Sequence, residues 1–214
     1  MRRLRDGDEI VLFAGDGNEA AARIVALDRH GADVEIVAVQ AVDRESPLSI
    51  TLVQGISSGD RMDYTLQKAV ELGVAAIVPV FVERSIVRLS GDRAEKRVAH
   101  WREVVVSACE QCGRNRIPEV APATSFAEAI PRVAARLSLR YVLSVDGGER
   151  LRALPAPESA VALLAGPEGG LSPGEERAAR SAGFVPLSLG PRVLRTETAA
   201  VAALAAMQAI WGDG

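Results

Sequence analysis

From residue 48 to the C-terminus, short apolar runs alternate with segments that carry helix start and stop signals, and no other feature narrows the fold as far. Strands are expected over 48–53, 75–82, 141–145, 160–165 and 184–189. Between them, Asp60 can cap a helix that runs to Leu72 and stops at Gly73, and Asp92 can open a longer one through Cys112. Ser125-Phe126-Ala127-Glu128 and Ser172-Pro173-Gly174-Glu175 read as capping boxes, in which serine and glutamate each satisfy a backbone N–H at a helix start. Pro173 falls at the first helical position, where its missing N–H is harmless. A last helix is expected over 196–211, so apolar along 199–211 that it should be almost entirely buried. Strands and helices in strict alternation give an α/β fold, a mostly parallel sheet with helices on both faces.

The first part of the chain has a different period. Residues 9–40 alternate apolar and polar positions, with strands expected over 9–13, 20–27 and 34–39 and a turn at Gly15-Asp16-Gly17-Asn18. Three strands alone enclose a thin core, so this β unit should lean on something else. The polar stretch Asp43-Arg44-Glu45-Ser46-Pro47 reads as a linker, which divides the chain into 1–43 and 48–214.

Composition excludes several classes. The formal net charge is −3, so the whole molecule lacks the charge signature of a nucleic-acid binder, although a local basic patch is compatible with it. Of 25 cationic residues only Lys68 and Lys96 are lysine; arginine's planar fork suits phosphate, but a GC-rich genome, which also accounts for the abundant alanine, is the favoured source of most of the bias. No apolar run is long enough to span a bilayer, and the basic start Met1-Arg2-Arg3-Leu4-Arg5-Asp6 lacks the apolar core of a signal peptide, so a cytoplasmic protein is expected. Cys109 and Cys112 have C-x-x-C spacing but sit late in a helix, and His30 and His100 are the only histidines, so a structural role is expected and no metal site.

Open parallel sheets bind ligands beyond the carboxyl ends of their strands, and two glycine-bearing loops fall there. The first is Gly166-Pro167-Glu168-Gly169-Gly170; it reads as a ligand cradle or as a tight strand-to-helix turn. It matches neither a P-loop nor a dinucleotide fingerprint. The second, Leu189-Gly190-Pro191-Arg192-Val193-Leu194-Arg195-Thr196-Glu197-Thr198, places charges at the mouth of an apolar helix. Glu197 can pair with Arg192 or Arg195; alternatively Thr196 caps the helix and Glu197 complements its dipole.

These two loops, read together from Leu164 and through Ala199, resemble those of the RsmE family, ribosomal RNA small-subunit (uracil-N3) methyltransferases of the SPOUT superfamily. Three upstream stretches resemble the family in the same order: Arg61-Met62-Asp63 with Gln67-Lys68-Ala69-Val70-Glu71-Leu72-Gly73-Val74, Glu83-Arg84-Ser85, and Glu110-Gln111-Cys112-Gly113-Arg114. The resemblance implies a trefoil-knotted α/β domain over 48–214, an exception to the near absence of knots, behind a small PUA-like RNA-binding β domain over 1–43. It implies that S-adenosylmethionine is held mainly by backbone groups. The matching positions are Leu164, Gly166, Pro167, Glu168, Gly169 and Gly170 of the first loop, with Leu189, Gly190, Val193, Leu194, Thr196 and Ala199 of the second. It also implies a homodimer with the active site near the subunit interface, and 16S ribosomal RNA as partner.

Methyl transfer to uracil N3 needs the base in line with the methyl donor and needs the imide proton to leave. Arg195, with Arg192 behind it, can stabilise negative charge developing on the base, and Glu197 can orient an arginine or accept the proton. Arg84, Arg114 and Arg116 are candidates for RNA phosphates, with a solvated charge or an ion pair as the alternative for each. Two departures from the family pattern bear on RNA binding. Met1-Arg2-Arg3-Leu4-Arg5 stands where the β domain is normally already under way, so that domain is expected to be short; and Ser57-Ser58 replaces a common lysine, one phosphate contact fewer. An RNA-binding protein without catalysis on the same scaffold, or a SPOUT enzyme acting on another RNA, are the alternatives.

Overall fold

The computed structural model of the chain describes residues 4–86 and 90–214. Met1, Arg2 and Arg3 of the basic start therefore lie outside the described residues. The chain divides into two compact units, one reaching Glu45 and including Cys109–Ile117, the other formed by Ser46–Ala108 and Pro118–Gly214.

In the first unit, β1 (Glu9–Phe13), β2 (Asn18–Leu27) and β3 (Ala32–Ala41) form an antiparallel sheet in that order, with bulges between Ala21 and Ala22 and between Ile24 and Ala26. The core is as thin as three strands alone predict: among the described residues, Ala22 and Ile24 of the sheet are buried apolar residues, joined by Cys109, and β3 is exposed along nearly all its length. The unit leans on residues 109–117. Asn115 Nδ2 donates to the carbonyls of Gly17 and Val42 and to Glu19 Oε1, the Gly17 N–H donates to the Asn115 carbonyl at 3.1 Å, and Asp16 bridges to Arg116. The stretch expected as a plain linker supplies two ion-pair partners, Arg44 to Glu19 and Glu45 to Arg114.

The second unit contains β4 (Ile50–Gly55), α1 (Gly59–Glu71), β5 (Ala76–Phe81), α2 (Asp92–Cys112, whose last turn groups with the first unit), β6 (Glu119–Val120), β7 (Thr124–Ser125), α3 (Phe126–Arg136), β8 (Leu139–Leu143), β9 (Glu149–Arg150), β10 (Val161–Ala165), α4 (Pro173–Ser181), β11 (Val185–Ser188) and α5 (Thr196–Trp211). The sheet runs β6-β5-β4-β10-β8-β11-β9, with β7 beside β5, and every pairing is parallel. β10 lies in the middle and is buried at all five residues, as a continuous apolar run between two parallel neighbours should be. Its Ala162 and Leu164 join a core with Phe126, Ala129, Ile130 and Val133 of α3 and Ala179 of α4. Val161 and Leu163, of the opposite parity, are equally buried, and α5 packs on β10 and on α1. This is the α/β arrangement expected, preceded by a small antiparallel β unit.

Both capping boxes are present, at Ser125 with Glu128 and Ser172 with Glu175. Three expectations need correction. Asp60 lies in the first turn of α1; Ser58 holds the cap position, and makes no side-chain cap because its hydroxyl is engaged elsewhere. β8 ends at Leu143, two residues before the expected 145, which frees residues 144–146 for a loop. Finally, α5 is not almost entirely buried: Val201, Ala202, Ala205 and Ala206 are half-buried and Ile210 is 48% exposed. Alanine and valine make the helix apolar all round, but one side only packs on α1 and β10, and the other is left half-open within this chain. Among the described residues no helix is long and apolar enough to cross a membrane, and no group of three or more histidine, cysteine or acidic side chains could hold a metal ion.

Candidate functional site

A cavity of about 580 Å³ opens in the second unit, lined by residues from the ends of β8 and β10, from α1 and α4, and from the loop that enters α5. That volume lies within the range of small-molecule sites. Among the residues singled out from sequence, Gly166, Pro167, Glu168, Gly169, Gly170, Val193, Leu194, Thr196 and Ala199 line it, together with Arg195, Glu197 and Arg84. Leu164 is instead buried in the core, Leu189 is half-buried, and Gly190 and Arg192 are exposed beside the cavity lining. Arg61, Leu143, Val145, Asp146 and Glu176 also line the cavity, and sequence reasoning gave none of them a role. Arg61 lies in a stretch already noted; Val145 and Asp146 stand where a strand is expected to run or just to end, which hides them.

The first loop is tied down at nearly every point. Pro167 accepts the Gly170 N–H at 2.8 Å and closes a turn, in which Gly170 takes φ +67°. Glu168 Oε1 accepts from the Ser58 N–H at 2.9 Å, from Ser58 Oγ at 2.7 Å and from Arg61 at 3.0 Å. Burial works against its charge, but the Ser58 hydroxyl and N–H, its own N–H and Arg61 outweigh burial and hold the carboxyl at about 2, so it is ionised at neutral pH. The next residue faces a second brace. A Cβ on Gly169 would stand 2.8 Å from the Arg84 carbonyl oxygen and 2.9 Å from Arg84 Cβ, so only glycine fits there. Arg84 Nη1 in turn donates to the carbonyls of Leu171 at 3.2 Å and Gly169 at 3.4 Å. The turn that carries Arg84 is held by Ser85, whose N–H donates to Val82 O, and by Glu175, which accepts the Glu83 N–H at 2.8 Å while also serving the α4 capping box.

The second loop is mostly open. Its firm link is Thr196 Oγ1, which donates to the Gly166 carbonyl at 2.6 Å and joins the two loops. The capping alternative for Thr196 does not hold: Arg195 is the cap residue of α5, and its side chain makes no cap. Among the described residues Glu197 pairs with neither Arg192 nor Arg195, and it lies in the first turn of α5, where its charge favours the helix dipole. Val193 is 81% exposed although it lines the cavity. The cavity thus offers apolar walls from Leu143, Val145, Val193 and Leu194, with carboxylates and guanidiniums of both signs, a lining suited to a ligand with an apolar ring and charged groups.

In the first unit, Arg114 is 6% exposed and meets both Glu45 oxygens, the ion-pair alternative. Arg116 is exposed. Cys109 is buried, which pushes its thiol up to about 11 against the pull of Arg114, and its Sγ lies 3.7 Å from the Arg116 carbonyl. Such a thiol is unreactive at neutral pH.

Comparisons with known proteins bear on this geometry. Residues 44–208 match the family described as RNA methyltransferase domain, and residues 2–37 match the RNA methyltransferase PUA domain. Ribosomal RNA small subunit methyltransferase E of Buchnera aphidicola subsp. Schizaphis graminum is 36% identical over 99% of this chain and 85% of the relative. The protein of the same name from Bacillus subtilis is 31% identical over 97% of this chain and 84% of its own length. Among solved structures, the ribosomal RNA small subunit methyltransferase E from Neisseria gonorrhoeae bound to S-adenosyl methionine superimposes with a TM-score of 0.90 at 48% identity, covering 98% of this chain and 86% of that one. A putative methyltransferase from Legionella pneumophila in complex with the same cofactor gives 0.92 at 41% identity, covering 99% and 86%.

Proposed function

This chain belongs to the ribosomal RNA small subunit methyltransferase E family of RNA methyltransferases, and from that premise we propose that it transfers a methyl group from S-adenosylmethionine to N3 of a uridine in 16S ribosomal RNA. One observation carries the reading: the two glycine-bearing loops meet through Thr196 and Gly166 around a cavity at the carboxyl ends of the strands, in a chain whose close structural relatives were solved with that cofactor. The cavity suits such a ligand in size, in its apolar walls and in its mixed charges.

In this reading the cofactor is held by the backbone of 166–170 and of the loop entering α5, with Leu164, Leu189, Gly190 and Ala199 supporting the two loops. When bound, S-adenosylmethionine supplies an activated methyl group on a sulfonium, so no metal is needed. Arg195 faces the uracil and stabilises negative charge on it as the N3 proton leaves; Arg192 stands behind it, and Glu197 orients the arginine or takes the proton. The knotted SPOUT domain is 48–214 and the PUA-like RNA-binding domain 1–43. Arg116, exposed where Arg114 is buried, is the phosphate contact of that pair. The half-open side of α5 favours a homodimer, and a cytoplasmic location follows from the ribosomal substrate.

The test is methyl transfer from labelled cofactor to small-subunit particles lacking the modification, followed by nucleoside analysis. Label in 3-methyluridine is expected. Label on ribose or on another base overturns the N3 assignment, and no transfer with normal RNA binding favours the scaffold without catalysis.

A further inference from the structure

Arginines near an RNA-modifying site are natural candidates for phosphate contacts, and Arg84 is one of them. Its surroundings point elsewhere. One nitrogen, Nη1, is shared between the carbonyls of Leu171 and Gly169, at 3.2 and 3.4 Å. The main chain of the same residue packs so closely on Gly169 that a Cβ there would sit 2.8 Å from the Arg84 carbonyl oxygen. Side chain and backbone therefore grip one short loop from the same side. The turn carrying Arg84 is itself fixed, because Ser85 closes it onto Val82 and Glu175 holds the Glu83 N–H at 2.8 Å. On the other flank, Ser58 and Arg61 hold Glu168. The loop is clamped between two arginines, one acting on its carboxylate and the other on its carbonyls.

We propose that Arg84 is a positioning residue that fixes the 166–171 loop in the shape that receives the cofactor, and that it is not a contact to RNA phosphate. The proposal rests on the reading of this cavity as the S-adenosylmethionine site. A guanidinium fits the task because Nη1 carries two N–H groups held in fixed directions by the planar group, one for each carbonyl; an ammonium on a flexible stem keeps the charge but loses that geometry. A loop already in its bound shape loses less conformational freedom on binding, so the effect appears in cofactor affinity.

The experiment compares the full-length protein with Arg84→Lys and Arg84→Ala. It measures equilibrium binding of S-adenosylmethionine, steady-state methyl transfer, and binding of a small-subunit RNA fragment across a salt series. Both variants should weaken cofactor binding and raise its KM by about tenfold, with kcat within about twofold and RNA affinity unmoved, since what is lost is a loop brace of one or two hydrogen bonds to carbonyls. Guanidinium ion at low concentration should partly restore cofactor binding to Arg84→Ala. A phosphate contact gives the opposite pattern: weaker RNA binding, a salt slope smaller by about one, rescue by lysine and unchanged cofactor affinity. That result overturns the proposal, as does wild-type-like cofactor binding in both variants. Should Arg84→Ala fail to fold, Arg84→Lys carries the comparison. A wild-type protein that binds no S-adenosylmethionine overturns the reading of the cavity and this inference with it.

Discussion

The two loops around the cavity are built on opposite principles. In the first, the carboxylate of Glu168, the carbonyls of Gly166, Gly169 and Leu171, and the N–H of Gly170 all have partners within the chain. In the second, Val193 projects into solvent, Arg192 and Arg195 are exposed, and among the described residues neither arginine has an ion-pair partner. One loop is largely tied within the chain, with Glu168 Oε2 left as a buried oxygen without a hydrogen-bond partner among the described residues; the other keeps its charged groups available. A tied loop favours tight, geometric recognition of one small molecule. An open loop suits a large partner that completes it. In the proposed reading both loops hold the donor through their backbones, while the side chains that act on the acceptor come from the open loop alone, and Thr196 joins the two.

The comparison can be broken by substitutions that respect or violate it. The largest effect is expected in the open loop. Arg195→Ala should lower kcat by about a hundredfold or more while leaving donor affinity near wild type, the signature of a group acting on charge in the transition state. Loss of donor binding instead, seen by calorimetry, would merge the two roles. In the tied loop, Gly169→Ala forces a methyl group against the Arg84 backbone, 2.8 Å away. An overpacking strain of this kind should weaken donor binding by about tenfold to a hundredfold. An unaltered dissociation constant would show that the loop yields as easily as its open neighbour.

The smallest effect concerns Glu168. Its carboxyl titrates at about 2 in the folded chain against an ordinary 4.5, so the folded state favours the ionised form. Its contribution to stability is then complete above about 4.5 and drains away as the pH falls toward 2. Thermal midpoints of the wild type and Glu168→Gln should differ above that window and converge below it. A gap that persists in acid would mean that packing, rather than charge, holds this side of the loop.

Much of this fold was legible because its signals are local. The capping boxes at Ser125 and Ser172, the long helix from Asp92 and the last helix from Thr196 declare themselves within a turn or two of their starts, where hydrogen-bond partners are neighbours in the chain. The glycine loops were visible for the same reason. The ties that make one loop rigid were not. Ser58 bonds Glu168 across 110 positions and Arg84 bonds Leu171 across 87, and no local pattern announces either. Ser58 even stands at the start of α1, where its hydroxyl would be expected to cap the helix; a distant carboxylate takes that bond instead. Arg114 teaches the same lesson with charge. On paper it is one more arginine for RNA, and only the fold brings Glu45 to it.

Near the chain's end, Gln208 accepts from Ser46 Oγ at 2.7 Å and donates to the Leu72 carbonyl at 2.9 Å, partners 162 and 136 positions earlier. Both bonds wait for the last helix. The start of the domain at Ser46 and the end of α1 at Leu72 therefore cannot be sealed until α5 docks, so docking of the last helix is the step that closes the unit.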